Sequence, residues 1–271
     1  FVEELVAVVW PNSAMFKLIR VSILLSILAF VAIGTWLSQV RSTDWNNSLW
    51  VRVYPINADG HPATQRYIDS LSVGAFSGIE GFFDREVQRY GVMLEQPVRM
   101  ELGPQLNEEP PKLGEQRSIL NTMLWSLKTR WWASSVTRGK EDIAPDVRMF
   151  VRYHHPDSHF VLEDSLGVQK GMFGIVNAYA GRSYKGSNNV VLAHEFLHTI
   201  GASDKYDFST NQPIAPIGLA EPERSPLFPQ RFAEIMGGRI ALSPREAVIP
   251  ANLRQTLIGP TTAMEVGLLN E

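Results

Sequence analysis

Two histidines four residues apart stand in the run His194-Glu195-Phe196-Leu197-His198-Thr199-Ile200-Gly201-Ala202-Ser203-Asp204. On a helix, side chains at i and i+4 lie one above the other on one face. Both imidazoles can therefore reach one small cation. Glu195 directly follows the first histidine, which puts its carboxylate beside the metal without making it a ligand. From there it can take a proton from metal-bound water. Gly201 lets the helix stop and the chain turn back, and Asp204 can supply a third ligand. Three protein ligands plus one water is the open arrangement of a catalytic zinc site. The expected cofactor is Zn2+, held by His194, His198 and Asp204, with Glu195 as general base.

The pattern H-E-x-x-H-x-x-G-x-x-D resembles the metzincin clan of zinc metallopeptidases, in the snapalysin-like variant where aspartate replaces a third histidine. The resemblance implies a methionine in a tight turn beneath the metal, and Met236, in Glu234-Ile235-Met236-Gly237-Gly238, fits that role. It implies hydrolysis of peptide bonds in a peptide or protein substrate bound as an extended strand against a sheet edge. The candidate edge is Phe173–Ala180. It also implies an α+β fold: a mixed twisted sheet, two long helices, an active-site helix and an irregular C-terminal subdomain. In order of elements the likeness runs roughly over Leu49–Ile258. The clan often has a tyrosine two residues after the turn methionine. Gly238 stands there instead, with Tyr206 and Tyr184 as substitutes. Asp207, Glu221, Glu223 and Glu234 are alternatives to Asp204 as third ligand. A non-catalytic membrane-tethered binding or assembly subunit that keeps the zinc fold is the competing reading, although a scaffold has no need of Glu195.

The chain has no cysteine, which excludes thiolate metal sites, disulfides and cysteine nucleophiles. A net charge of −3 gives no basic face for nucleic acid, so none is expected as partner. Val21–Leu37 has no charge and only small polar residues. At 1.5 Å per residue it sits at the short end of a bilayer span. Lys17 and Arg20 precede it, and Trp36, Trp45 and Trp50 lie at and beyond its far end, as interfacial aromatics do. The reading is a single-pass signal-anchor, with the catalytic part outside the cytoplasm. A cleaved signal peptide ending near Ala32-Ile33-Gly34 is the alternative. Phe1–Trp10, apolar except for Glu3 and Glu4, could lie in the membrane interface or pack on a membrane-protein partner.

These features divide the chain into residues 1–41 (leader and anchor), 42–204 (upper catalytic subdomain with the zinc helix) and 205–271 (lower subdomain with the methionine turn). Period-two alternation predicts strands at Leu49–Pro55, Val98–Leu102 and Val147–Tyr153, with further strands at Phe160–Glu163 and Gly171–Ala180. Leu49, Val51 and Val53 form the buried face of the first. Helical spacing predicts Thr64–Tyr90 and Glu115–Ser134, the second with Ile119, Met123, Leu127 and Trp131 as its apolar stripe and Trp131-Trp132 as core. Gly74 and Gly78 read as packing positions. Ser187 or Asn188 caps the zinc helix. Ser243–Leu257 reads as a helix kinked at Pro250. His154, His155 and His159 read as solvated loop residues.

Overall fold

Leu, Val or Met at every second position makes β1 (Leu49–Asn57), β2 (Val98–Leu102) and β3 (Val147–His154) natural strands, and β5 (Phe173–Tyr179) is an almost wholly buried run with Phe, Ile, Val and Tyr. They are mutually parallel, and β4 (Leu166–Val168) joins β5 antiparallel, giving a mixed sheet in the order β2-β1-β3-β5-β4. The structure, a computed structural model, describes residues 17–26, 29, 44–112, 119–157, 162, 165–168 and 172–269, leaving aside the side chains of 119 and 120. Contacts divide the chain into two units, Phe1–Arg41 and Ser42–Glu271.

The sheet is covered on both faces, unlike the one-sided strands expected from the alternation. Leu49, Val51, Val53, Val98, Met100, Val147, Met149 and Val151 feed one core, beneath α1 (Pro62–Asp69), α2 (Ser77–Arg89) and α4 (Lys185–Thr199). Tyr54, Ile56, Phe150, Phe173 and Ile175 feed a second core beneath α3 (Ile119–Thr137). Parallel strands need long crossovers, and here α1 and α2 join β1 to β2 over one face and α3 joins β2 to β3 over the other, with α4, which follows β5, completing the first.

The predicted stripe of α3 faces outward. Met123, Leu127 and Trp131 are 59%, 61% and 70% exposed, whereas Trp132, Ala133 and Val136 are buried. Trp132 lies 4.7 Å from the Phe150 ring, centre to centre. Apolar residues surround this helix, so periodicity did not single out the face that the sheet selects.

The long helix expected over Thr64–Tyr90 is two helices. Ser70 and Ser72 are weak helix formers, and Ser70 Oγ donates to the Tyr67 carbonyl at the break. A short 3-10 turn, Val73–Ala75, bridges the two. The break has a use: the Gly74 carbonyl accepts from Lys185 Nζ and the Ala75 carbonyl from Asn189 Nδ2, both on α4. Gly78 is a packing position against Asn189, 3.3 Å from where its Cβ would stand.

Ser243–Leu257 is not a helix. Ser243 Oγ accepts from the backbone N–H groups of Arg245 and Glu246, closing a local turn in place of a cap. The chain forms the antiparallel pair β7 (Ile240–Ala241) and β8 (Ala247–Val248), then β9 (Thr256–Leu257) beside β6 (Ala233–Glu234). A terminal helix that the sequence reading missed, α5 (Pro260–Glu265), follows. The strand expected at Phe160–Glu163 falls almost wholly outside the described residues.

The transmembrane helix expected over residues 21–37 is not supported. No described helix is long and apolar enough to cross a membrane. Residues 17–26 are helical, with Leu18, Ile19, Val21, Ile23, Leu24 and Leu25 exposed. Ten helical residues span about 15 Å, roughly half a hydrocarbon core. Apart from residue 29, the remainder of the run lies outside the described residues.

Candidate metal centre

Helix α4 is fixed in rotation by its apolar side. Leu192, Ala193, Phe196 and Leu197 are buried, and Phe196 meets Phe83 of α2 edge-on at 5.1 Å. Its cap is neither Ser187 nor Asn188 but Tyr184, with no side-chain cap bond. Asn188 instead accepts from the Tyr179 N–H and donates to the Tyr179 carbonyl, pinning the helix start to β5. At the other end the Ala202 N–H donates to the Leu197 carbonyl and the Gly201 N–H to the His198 carbonyl. This paired closure needs a left-handed residue, and Gly201 has φ 116°.

The turn brings Asp204 back over the helix. His194 Nε2 and His198 Nε2 lie 3.1 Å apart, and Asp204 Oδ1 is 3.2 Å from the first and 3.1 Å from the second. A tetrahedral ion bonded at about 2.0–2.1 Å separates its ligand atoms by about 3.3 Å. The three atoms therefore form one face of such a tetrahedron. Among the described residues this is the group of histidines and carboxylates that could hold a metal ion.

The other ring nitrogens decide the tautomers. His194 Nδ1–H donates to the Ile235 carbonyl at 2.9 Å, and His198 Nδ1–H to the Ala202 carbonyl at 2.8 Å. Carbonyls only accept, so in the neutral rings both Nε2 atoms present lone pairs to the shared point, as metal-ligating imidazoles do. The three side chains retain 13%, 18% and 21% exposure, which keeps the centre accessible to solvent.

The charges are coupled. Burial would hold the His194 imidazole down, but its bond to Asp204 and the charge of Glu195 push it up. Burial opposes ionisation of Asp204, yet the His194 and His198 rings, which donate from Nε2 when protonated, hold it well below the usual carboxylate range. Burial pushes Glu195 up, partly countered by the two histidines and by the Gly167 N–H. Glu195 is buried and is a more basic carboxylate than a solvated one.

Met236 is wholly buried in a 3-10 turn, Ile235–Gly237, whose first carbonyl is the one that orients His194. Glu234 Oε2 accepts from the Gly237 N–H, Gly238 adopts φ 73°, and the Met236 carbonyl accepts from the Lys205 N–H beside Asp204. Backbone carbonyls of the methionine turn thus hold His194 directly and Asp204 through its neighbour Lys205.

Three of the four alternative ligands are engaged elsewhere. Asp207 Oδ1 accepts from Ser209 and Thr210. Glu221 pairs with Arg231. Glu234 is buried on Gly237, Gly259 and Thr262. Glu223 is outside the cluster. Tyr206 is close, its ring centre 6.4 Å from that of His194. Tyr184 packs on Tyr179 at the start of α4, nearly three turns from His194. His154 is no solvated loop residue: it ends β3, buried, with Nε2 3.2 Å from Asn177 Oδ1. His155 is partly buried against His61, rings 4.2 Å apart. His159 lies outside the described residues.

The sheet edge differs from the expected one. Phe173–Tyr179 is an interior strand, and β4 is the outer strand on that side. A Cβ on Gly167 would stand 2.4 Å from His198 Cβ and 2.5 Å from the Glu195 carbonyl. Only glycine allows β4 so close to α4, so β4 walls the centre. The sequence reading missed it because three residues carry too little periodicity to be seen.

A comparison with known protein families finds no family model that matches the chain, and a comparison with curated proteins finds no match.

Proposed function

We propose that this chain is a zinc-dependent endopeptidase of the metzincin type. The observation that carries the reading is the triangle of His194 Nε2, His198 Nε2 and Asp204 Oδ1, with sides of 3.1–3.2 Å and both Nδ1 atoms committed to carbonyls. Two neutral imidazoles and one carboxylate suit zinc among the common divalent ions. Zinc, when bound, supplies Lewis acidity that lowers the pKa of water and polarises a carbonyl. Glu195 takes the proton of the attacking water and passes it to the leaving amine. Its burial supports that role, because a desolvated carboxylate is a stronger base. Met236 touches no substrate and serves as floor. The Tyr206 phenol, beside His194, is the donor at hand for the developing oxyanion.

The substrate is a peptide or protein laid as an extended strand along β4, beside the centre. Although no described helix is long and apolar enough to cross a membrane, the uncharged sequence of Val21–Leu37 favours a membrane tether, and Lys17 and Arg20 before it favour an extracytoplasmic centre; recovery of the full chain in the soluble fraction after alkaline washing would argue against it.

The test is Glu195→Gln. Zinc stays bound, and cleavage of a peptide library falls by 10²-fold or more, within the range of general base catalysis. If zinc binds and wild type and variant cut equally, or neither cuts, the peptidase reading fails and a zinc-bearing binding subunit takes its place.

A further inference from the structure

His194 and His198 are preset by one helix. Asp204 is not: it sits in an irregular stretch, and its orientation depends on its neighbours. Both neighbours are gripped by one distant carboxylate. Glu265, the last residue of α5, accepts the Ser203 N–H on Oε2 at 3.0 Å and the Ser203 hydroxyl on Oε1 at 2.6 Å. It also accepts Lys205 Nζ on Oε2 at 2.7 Å. Lys205 Nζ closes the loop by donating to the Ser203 carbonyl at 2.9 Å.

Two features set this cluster apart from ordinary surface pairing. The Lys205 side chain is only 1% exposed. Burying an ammonium costs several kcal/mol unless it is well paired, so this ion pair is a fixed part of the fold. Glu265 also stands at a helix C-terminus, where the helix dipole disfavours a carboxylate. Its contacts with Ser203 and Lys205 outweigh that penalty. The same short helix supplies Thr262 Oγ1 to Glu234, which holds the turn beneath His194. One C-terminal element thus braces both the floor of the centre and the loop of the third ligand.

We propose that Glu265 is a positioning residue for Asp204, clamping residues 203 and 205 so that the carboxylate between them is presented to the metal. This rests on the zinc-site reading. Partners that orient metal ligands typically change metal affinity by 10–100-fold when lost. The clamp is therefore expected to be worth at least tenfold in zinc affinity.

The experiment is zinc titration of the metal-free full chain against a chromophoric chelator, with visible spectra of the cobalt-substituted protein and thermal unfolding of the metal-free form. Glu265→Ala weakens zinc at least tenfold and alters the cobalt bands. Glu265→Gln keeps an oxygen for Ser203, loses the charge facing Lys205 and weakens zinc less. Lys205→Met weakens zinc like Glu265→Ala. Where Glu265→Ala does not fold, the Gln and Met variants carry the test. Zinc affinity within twofold of wild type and unchanged cobalt bands, with only the unfolding temperature lowered, overturns the clamp and leaves Glu265 a purely structural residue. A wild type that binds no zinc, or a His198→Ala variant that binds as tightly as wild type, overturns the zinc-site reading and the clamp together.

Discussion

A single methyl group at Gly167 tests whether β4 is the wall of the centre. In Gly167→Ala the new Cβ would stand 2.4 Å from His198 Cβ and 2.5 Å from the Glu195 carbonyl. Ordinary carbon contacts lie at about 3.5–4.0 Å, so β4 and α4 must part by about 1 Å. Neither contact is a flexible side-chain tip: one is the Cβ of a candidate ligand and the other is helix backbone. Overpacking of this kind costs about 1–3 kcal/mol. A displacement of about 1 Å at reacting groups costs about 10²-fold in rate. The control is Gly81→Ala on α2, where an added Cβ meets nothing within 4 Å. There alanine gains about 0.5–1 kcal/mol through helix propensity. The assay is urea unfolding of both variants, with zinc affinity and peptide cleavage on the same samples. Opposite signs of the two stability changes, with zinc affinity reduced only in Gly167→Ala, are expected. A Gly167→Ala protein as stable and as tight for zinc as wild type would refute the close approach of β4.

In the metal-free protein, the His194 pKa lies above its unfolded value near 6.5 and that of Asp204 below its unfolded value near 3.9. The Asp204 contribution to stability is present above about pH 4 and lost as pH falls. That of His194 is present below about pH 6.5 and lost as pH rises through its folded pKa. Metal-free stability from this pair is therefore greatest between about pH 4 and 6.5, whereas zinc, which needs neutral imidazoles, stabilises more as pH rises. The gap between zinc-loaded and metal-free unfolding temperatures should widen from about pH 6 to 8 in a scanning fluorimetry series; a constant gap would count against histidine ligation. Trp132→Ala should cost about 3–5 kcal/mol, and Trp131→Ala, at an exposed position, within about 0.5 kcal/mol, both read by urea unfolding. Glu234→Ala leaves the Gly237 and Gly259 N–H groups and the Thr262 hydroxyl without their buried acceptor. At about 1–3 kcal/mol per orphaned group, the loss should exceed about 3 kcal/mol in the same assay.

The pairing of His194 with His198 was legible because i,i+4 spacing on a helix is a local rule. Gly201 was legible for the same reason, since a helix stop followed by a left-handed residue is written in the sequence. The sites of β1, β2 and β3 could be read from alternation, but not that both faces would be covered, since Arg52, Arg148 and Arg152 gave the second face of β1 and β3 a polar look. Those arginines are satisfied by Glu101, Glu141 and Glu109, partners far along the chain in two of the three cases. The break at Ser70–Phe76 was hidden because Tyr67, Leu71, Ile79 and Phe82 keep helical spacing across it. The Ser243–Leu257 error was a competition between cap and turn, and Ser243 chose the turn. The groups that set the histidine tautomers, the Ile235 and Ala202 carbonyls, are backbone atoms that no residue type announces. The close approach of Gly167 depends on a three-residue strand, too short to read.

The proposed zinc site is one triangle of atoms, and crystals of the zinc-loaded chain measure it directly. Anomalous diffraction at the zinc edge should place one ion about 2.0–2.2 Å from His194 Nε2, His198 Nε2 and Asp204 Oδ1, with a solvent molecule completing the shell. Zinc bound elsewhere, or held by the two histidines without Asp204, would contradict it.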